Sequence, residues 1–406
     1  MRTSIISIFL LLSQVVLAQI DKDFFLIARN TGEKQLADSS IITVFGFAED
    51  LSTHPSIPGP TLIMNEGDSV EIDLWNVSQG APHTIHLHGL DVDQENDGVP
   101  SLSFEVLHMD HGFYRFEAPH AGTYLYHCHV VSTIHVQAGM YGLIIVKEKN
   151  NEKKTWTDGY DYDREFAFLN SEIDTVWHRD SVLDHPHGDT VTLVAIPPYH
   201  PQFFLVNGYS DQQLIDNEVK VYGAKNEAIY LRLANVGYYG NTFHFPPELD
   251  ATIIASDGRP LPQSEQSDSI VILPGERYGV MLYPTDTLNS QISVDYFNLN
   301  SYRTEGNQFL EVNILETASK EEQINIEPLV YPNPFTSHFS LELGELGQNV
   351  TGLQIAELNG KVVWETKVQD VTKIESVDLR GLNSGIYILQ IATSDGSIFI
   401  KKLVKL

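Results

Sequence analysis

The only cysteine of the chain, Cys128, stands in the run Tyr126-His127-Cys128-His129, and His135 and Met140 follow it. Cys128, His129, His135 and Met140 thus fall within thirteen residues. A thiolate and two imidazoles form the trigonal plane of a copper electron-transfer site, and a long, weak thioether bond tunes its potential. The plainer alternative, a buried structural cysteine beside chance histidines, is opposed by this density of donors.

A second donor-rich run, His83-Thr84-Ile85-His86-Leu87-His88-Gly89, lies upstream, and nine of the sixteen histidines fall between positions 83 and 135. Successive side chains of a strand point to opposite faces. That parity puts His127 and His129 on one face with Cys128 on the other. It puts His86 and His88 together and His83 opposite them. Two sites back to back follow: His83, Cys128, His135 and Met140 in one, and His86, His88, His127 and His129 in the other. Electrons could then pass from the thiolate to the flanking imidazoles along the covalent chain. His54, His108, His111 and His120 fit neither set and read as surface or loop residues.

The elements that must carry these donors read as strands. Val70, Ile72 and Leu74 alternate with Glu71 and Asp73, so one face of that run is apolar and the other wet. Ile41–Phe47 reads as another strand. Short runs rich in Val, Ile, Phe and Tyr, broken by Gly, Pro, Asn and Asp, predict an all-β protein built of sandwiches.

Composition narrows the partners. The net charge is −29, from 54 acidic against 25 basic residues, which disfavours nucleic acid and anionic membranes. Residues 1–18 carry one early charge, an apolar run and a small-residue end, the pattern of a secretory signal peptide cut after Ala18. No other stretch is long and apolar enough for membrane insertion. A lone cysteine can form no disulfide within the chain, and its place in an exported protein suits a metal ligand.

Residues 19–150 resemble a cupredoxin domain of the multicopper oxidase family, in the version with the blue copper in the first domain. The resemblance rests on Pro58-Gly59-Pro60-Thr61, Gly67-Asp68, the His83–Gly89 run, Asp97-Gly98-Val99-Pro100 and Gly122-Thr123-Tyr124-Leu125-Tyr126-His127-Cys128-His129 with Gly139-Met140-Tyr141-Gly142. It implies a type 1 copper at His83, Cys128, His135 and Met140. It also implies that His86, His88, His127 and His129 contribute to a type 2/type 3 copper centre that reduces dioxygen. One departure is the six-residue spacer between Cys128 and His135, two longer than the usual family loop.

Residues 155–317 resemble a second cupredoxin unit, through Phe203-Phe204-Leu205-Val206-Asn207-Gly208 and Ile272-Leu273-Pro274-Gly275-Glu276-Arg277-Tyr278. A complete centre in the family takes four His-X-His pairs, and the first unit supplies two. The other pair here, His185 and His187, reads as a polar loop. His244 stands alone where a ligand strand could lie, and His178 and His200 carry no signal.

Residues 318–329 read as a charged linker. Residues 330–406 resemble the C-terminal sorting domain of the type IX secretion system, through Tyr331-Pro332-Asn333-Pro334, Asn359-Gly360-Lys361 and Gly385-Ile386-Tyr387-Ile388-Leu389-Gln390. That resemblance implies a Bacteroidetes-type bacterium, passage across the outer membrane by the type IX machinery, and a secreted or cell-surface protein.

The expectation is therefore two cupredoxin-like Greek-key β-sandwiches followed by a small β-sandwich sorting domain. Its function is that of a copper oxidoreductase taking electrons from a small reducing substrate or a protein donor and passing them to dioxygen. Two other classes stay open: a blue-copper electron carrier and a copper-binding protein without turnover. Nitrite reduction is a further enzymatic option, opposed by the presence of both His-X-His pairs. The missing imidazoles point to a homotrimer that shares sites across subunits.

Overall fold

The computed structural model describes residues 20–80, 82–184, 196–317, 329–331, 333, 335–343, 349–357, 361–368, 371–394 and 398–405. The expected signal peptide, residues 318–328 of the expected linker, and His185 and His187 lie outside the described residues. The chain forms two compact units, residues 1–318 and 319–406.

The larger unit holds two sandwiches. In the first, one sheet is built from β1 (Lys22–Gln35), β2 (Ile41–Ala48), β4 (Ser69–Asn76) and β6 (His111–Glu117), in the order β2-β1-β4-β6. The facing sheet takes β3 (Leu62–Asn65), β5 (His86–His88), β7 (Gly122–His127) and β8 (Tyr141–Lys147), in the order β3-β8-β7-β5. A short helix, α1 (Ser132–Ala138), joins β7 to β8. Val70, Ile72 and Leu74 of β4 are buried, as their alternation with acids requires. They meet Leu87, Tyr126 and Ile144 from the other sheet in one apolar core, and Cys128 and Met140 lie within it.

The second sandwich begins with β9 (Arg164–Ile173), helix α2 (Asp180–Leu183), β10 (Phe203–Val206), β11 (Val221–Ala224) and β12 (Ile229–Asn235). It continues with β13 (Gly240–His244), β14 (Thr252–Ser256), β15 (Arg259–Gln266), β16 (Ser269–Ile272), β17 (Arg277–Leu282), β18 (Leu288–Phe297) and β19 (Thr304–Leu315). Its sheets run β10-β9-β12-β17-β14-β15 and β11-β19-β18-β13-β16 around a core of their own.

What matters for function is how the sandwiches meet. Val44, Leu125, Val136 and Leu143 of the first pack with Leu169, Ile173, Leu205 and Ala234 of the second in one buried cluster. Val182 and Leu183 of α2 enter the first sandwich's own core. The loop between Cys128 and Met140 is therefore flanked by second-sandwich residues, which local sequence cannot reveal.

The smaller unit is a separate β-sandwich. Its sheets are β20 (Leu329–Tyr331), β21 (His338–Glu342) and β24 (Lys373–Asp378), against β22 (Val350–Glu357), β23 (Val362–Lys367), β25 (Gly385–Thr393) and β26 (Ile398–Lys405). Phe335, Phe339, Leu353, Leu389 and Leu403 fill its core. Leu329, assigned to the linker on sequence, already pairs with Glu342 in this sandwich. Among the described residues no helix is long and apolar enough to cross a membrane.

Candidate metal centre

Strand β7 ends at His127, and the chain then turns into the sandwich interior. The six-residue spacer is spent on a helical turn. Val131 adopts φ 44° and ψ 47° and starts α1, so that the N–H of His135 donates to the Val131 carbonyl at 3.1 Å. Gly139 ends the helix at φ 118°, a left-handed conformation that glycine adopts without steric penalty. Met140 N–H then donates back to the His135 carbonyl at 3.0 Å, and Cys128 N–H donates to the Met140 carbonyl at 3.0 Å.

This loop brings Nδ1 of His135 to 3.3 Å from Cys128 Sγ. His83 arrives from a strand bridge with Val106 and places its own Nδ1 3.6 Å from the same sulfur. The three donor atoms lie within 4.8 Å of one another. His83, Cys128, His135 and Met140 are all 0% exposed. The longer spacer thus forms a helix, and His135 stays beside the thiol.

The second cluster forms where β5 pairs with β7. His86 lies opposite His127 in register, and the intervening Leu87 turns into the core. The donor atoms of His86, His88 and His127 also fall within 4.8 Å of one another. His88 Nδ1 faces His127 Nε2 at 3.3 Å. His129 packs alongside, its ring 5.3 Å from that of His86 and 6.0 Å from that of His127, but it is not part of that tight group of three. Its backbone N–H donates to Thr84 Oγ1 at 3.0 Å, which ties the two histidine runs together.

Local partners orient these rings. Nδ1 of His86 lies 2.8 Å from the Asp97 carbonyl, and Nδ1 of His127 lies 3.1 Å from the Cys128 carbonyl. A carbonyl only accepts, so Nδ1 carries the proton in both rings and Nε2 keeps the lone pair for a metal.

The remaining described histidines of the larger unit stand apart. His244, on β13, is exposed and sits 3.3 Å from Asp295. His108 and His111 bond to the Ser78 carbonyl and to Asp73, both at 2.7 Å, and His54 is exposed. His120 bonds to the Ala121 carbonyl at 2.7 Å, and His200 is exposed. His178 is buried with Nδ1 2.7 Å from the Thr43 carbonyl.

The multicopper oxidase family profile matches residues 51–151, and a second multicopper oxidase profile matches residues 175–319. The chain belongs to the multicopper oxidase family. A secretion system C-terminal sorting domain matches residues 329–406. A laccase of Metarhizium acridum is 35% identical over 112 residues, covering 27% of this chain and 18% of that protein. The copper-containing nitrite reductase of Alcaligenes xylosoxydans xylosoxydans is 27% identical over 181 residues, covering 42% of this chain and 52% of that protein. The chain thus spans about half or less of the length of these two curated relatives. Among solved structures, the blue copper oxidase of Nitrosomonas europaea has the same fold, with a TM-score of 0.56 and 23% identity. That alignment covers 72% of this chain and 86% of the other.

Copper is the cofactor of the multicopper oxidase family, and both clusters fit it. The first offers one soft sulfur and two imidazole Nδ1 atoms at mutual distances that a single ion can span. Burial, with a smaller push from the charge of Glu105, takes the Cys128 thiol up to about 11, so it stays protonated until a cation displaces the proton. The second cluster offers imidazole donors. Burial, then the neighbouring Arg277 and His86, lower His88 to about 4, and burial takes His127 to about 3.

In this multicopper oxidase several residues around the site were outside the donor list read from sequence. Asp97 lies in the Asp97-Gly98-Val99-Pro100 turn, and its carbonyl fixes His86. Arg277 lies in the Leu273–Tyr278 run of the second sandwich, and its Nη2 sits against Gly89, the residue after His88. Gln137 and Glu172 link α1 to β9 through a hydrogen bond. The motifs containing Asp97 and Arg277 are visible in sequence, but nothing in them names the partner.

Proposed function

We propose that this chain is an exported copper oxidoreductase with two coupled sites. His83, Cys128 and His135 would hold the first metal, with the Met140 thioether as a weak further donor, and His86, His88 and His127 would hold the second centre with His129 beside it. Copper, when bound, supplies one-electron transfer at the thiolate site and dioxygen reduction at the imidazole site. The chain's residues set the route: Cys128 is bonded through the backbone to both His127 and His129, so the two clusters share one tripeptide. That shared tripeptide is the observation that carries the reading. Complete burial of His83, Cys128 and His135 keeps water from the thiolate. The electron source is a small reducing substrate or a protein donor.

The four first-unit imidazoles are half of those expected for a full centre, so the rest would come from another copy, most simply in a homotrimer. The exposed His244 is the candidate donor from the second unit. The sorting domain supports export through the type IX machinery to a secreted or cell-surface location.

Copper content, electron paramagnetic resonance and oxygen uptake test this together. The expected result is a blue protein with more than one copper per chain that consumes dioxygen. His88→Ala should abolish uptake and keep the colour, whereas Cys128→Ser should abolish the colour. A second reading is a blue-copper electron carrier. It is favoured by the absence, among the described residues, of any second-unit histidine in the imidazole cluster. One copper per chain with no oxygen uptake would leave that reading standing.

A further inference from the structure

The first sheet of the first sandwich turns one face to its core and the other outward, and the outward face is not simply polar. Its positions hold Asp23 and Phe25 on β1, Glu71, Asp73 and Trp75 on β4, and His111, Phe113 and Arg115 on β6. Phe25 and Phe113 are each 40% exposed. Strand pairing sets Asp73 between these two phenylalanines in one row. It sets Glu71 between Asp23 and Arg115 in the next, and Trp75 beside His111. The rings are close to parallel: Trp75 and His111 lie 5.5 Å apart at 7°, and His111 and Phe113 lie 6.2 Å apart at 16°. Phe25 joins them 6.4 Å from His111 at 27°. A contiguous aromatic set on a wet face marks an interaction surface, because water gives it nothing in return for its exposure.

The charges around the rings select the occupant. Three carboxylates, Asp23, Glu71 and Asp73, share the face with one arginine. Burial, then the charges of Glu71 and Asp73, hold the Asp23 carboxyl above its ordinary value, and none of the described ion pairs on this face includes it. Arg115 already displays a mode of binding. Its guanidinium carbon lies 5.0 Å from the centre of the Phe113 ring while its Nε donates to Glu71. The ring's quadrupole attracts the cation and the carboxylate adds a charge-assisted hydrogen bond. Phe25 and Asp23 repeat that pairing of ring and carboxylate on β1, where no described cation answers it. A second copy of this chain carries the same charge of −29 and would be repelled. A neutral saccharide would use the rings and leave Asp23 without a counter-charge.

We propose that the outward face of β1, β4 and β6 docks a basic segment of a protein partner, whose arginine or lysine side chains lie on Phe25 and Phe113 with their charges against Asp23 and Asp73. The site is separate from both histidine clusters and needs no metal.

The test titrates the purified chain with a capped hexa-arginine peptide by isothermal titration calorimetry at low salt. A polyanion attracts any polycation, so the variants compared carry equal net charge. Phe25→Ser combined with Phe113→Ser removes two rings and no charge. It should weaken binding about tenfold, at about threefold for each exposed cation–ring contact. Wild-type affinity in that double variant, or no binding by wild type, overturns the proposal. Binding of cellohexaose without binding of the peptide also overturns it, and makes the face a saccharide platform. If the double variant loses its β-sheet circular dichroism, Arg115 decides the matter. Arg115→Ser frees Phe113 and Glu71 for the peptide, whereas Arg303→Ser makes the same change of net charge at an exposed position of the second sandwich. Arg115→Ser should bind the peptide about threefold more tightly than Arg303→Ser, and equal or weaker binding overturns the proposal.

Discussion

The side-chain amide of Gln137 donates to the backbone carbonyl of Glu172 at 2.8 Å, joining the helix that carries His135 to the second sandwich. The same side chain accepts the N–H of Asp174 through Oε1 at 3.1 Å. Gln137 is 6% exposed, so neither backbone group has water to turn to if the side chain is lost. Gln137→Leu should therefore destabilise the larger unit by about 3 kcal/mol, the cost of leaving a buried donor and acceptor unmade. Urea unfolding followed by tryptophan fluorescence measures it, and a loss below 1 kcal/mol would mean that the tie is replaced by other contacts.

Glu172 itself predicts a pH dependence. Burial pushes its carboxyl up to about 7, against hydrogen bonds from the Tyr238 N–H, the Tyr199 hydroxyl and the Tyr239 N–H that favour the ionised form. Between its ordinary value of 4.5 and 7 the unfolded chain is ionised here while the folded chain holds the proton. Its contribution is thus fully present below pH 4.5 and lost as pH rises through 7. Glu172→Gln mimics the protonated form. The stability of the variant relative to wild type should rise by up to about 3 kcal/mol over that window. Parallel stability–pH curves for the two proteins would falsify the assignment.

Val131 is a β-branched residue in the left-handed region at φ 44°, and it is 41% exposed. It opens the helical turn that carries His135, so the strain stays in place because the loop is closed on both sides by Cys128 and Met140. Val131→Asn, which tolerates this conformation and gives up little buried surface, should stabilise the protein by about 1 kcal/mol. A lower melting temperature for the variant would show that the valine side chain contributes packing that outweighs the strain.

The sorting unit carries its own apolar core of Phe335, Phe339, Leu353, Leu389 and Leu403. A chain ending at residue 318 should keep the copper content and thermal transition of the larger unit unchanged. Aggregation of that truncated chain, or loss of its visible band, would make the C-terminal sandwich a structural requirement.

The candidate donors were legible in the chain because they are local. Cys128, its flanking histidines and the spacing to Met140 can be read residue by residue. Strand alternation alone separates Cys128 from His127 and His129, and the structure sets Cys128 with His83 and His135 and sets His127 with His86 and His88. The two sandwiches were legible for the same reason, since alternation such as that of Val70, Ile72 and Leu74 follows from a pleated strand with one wet face. The tertiary structure decided everything that depends on approach from a distance. It brings His83 to a sulfur 45 residues away and turns the long spacer into a helix that presents His135. It also sets Arg277 against Gly89 and Gly275 against His88, sets Glu172 against Gln137, and leaves His244 in solvent beside Asp295. No periodicity encodes these meetings, because they are fixed by how two separately folded sheets pack their apolar faces together.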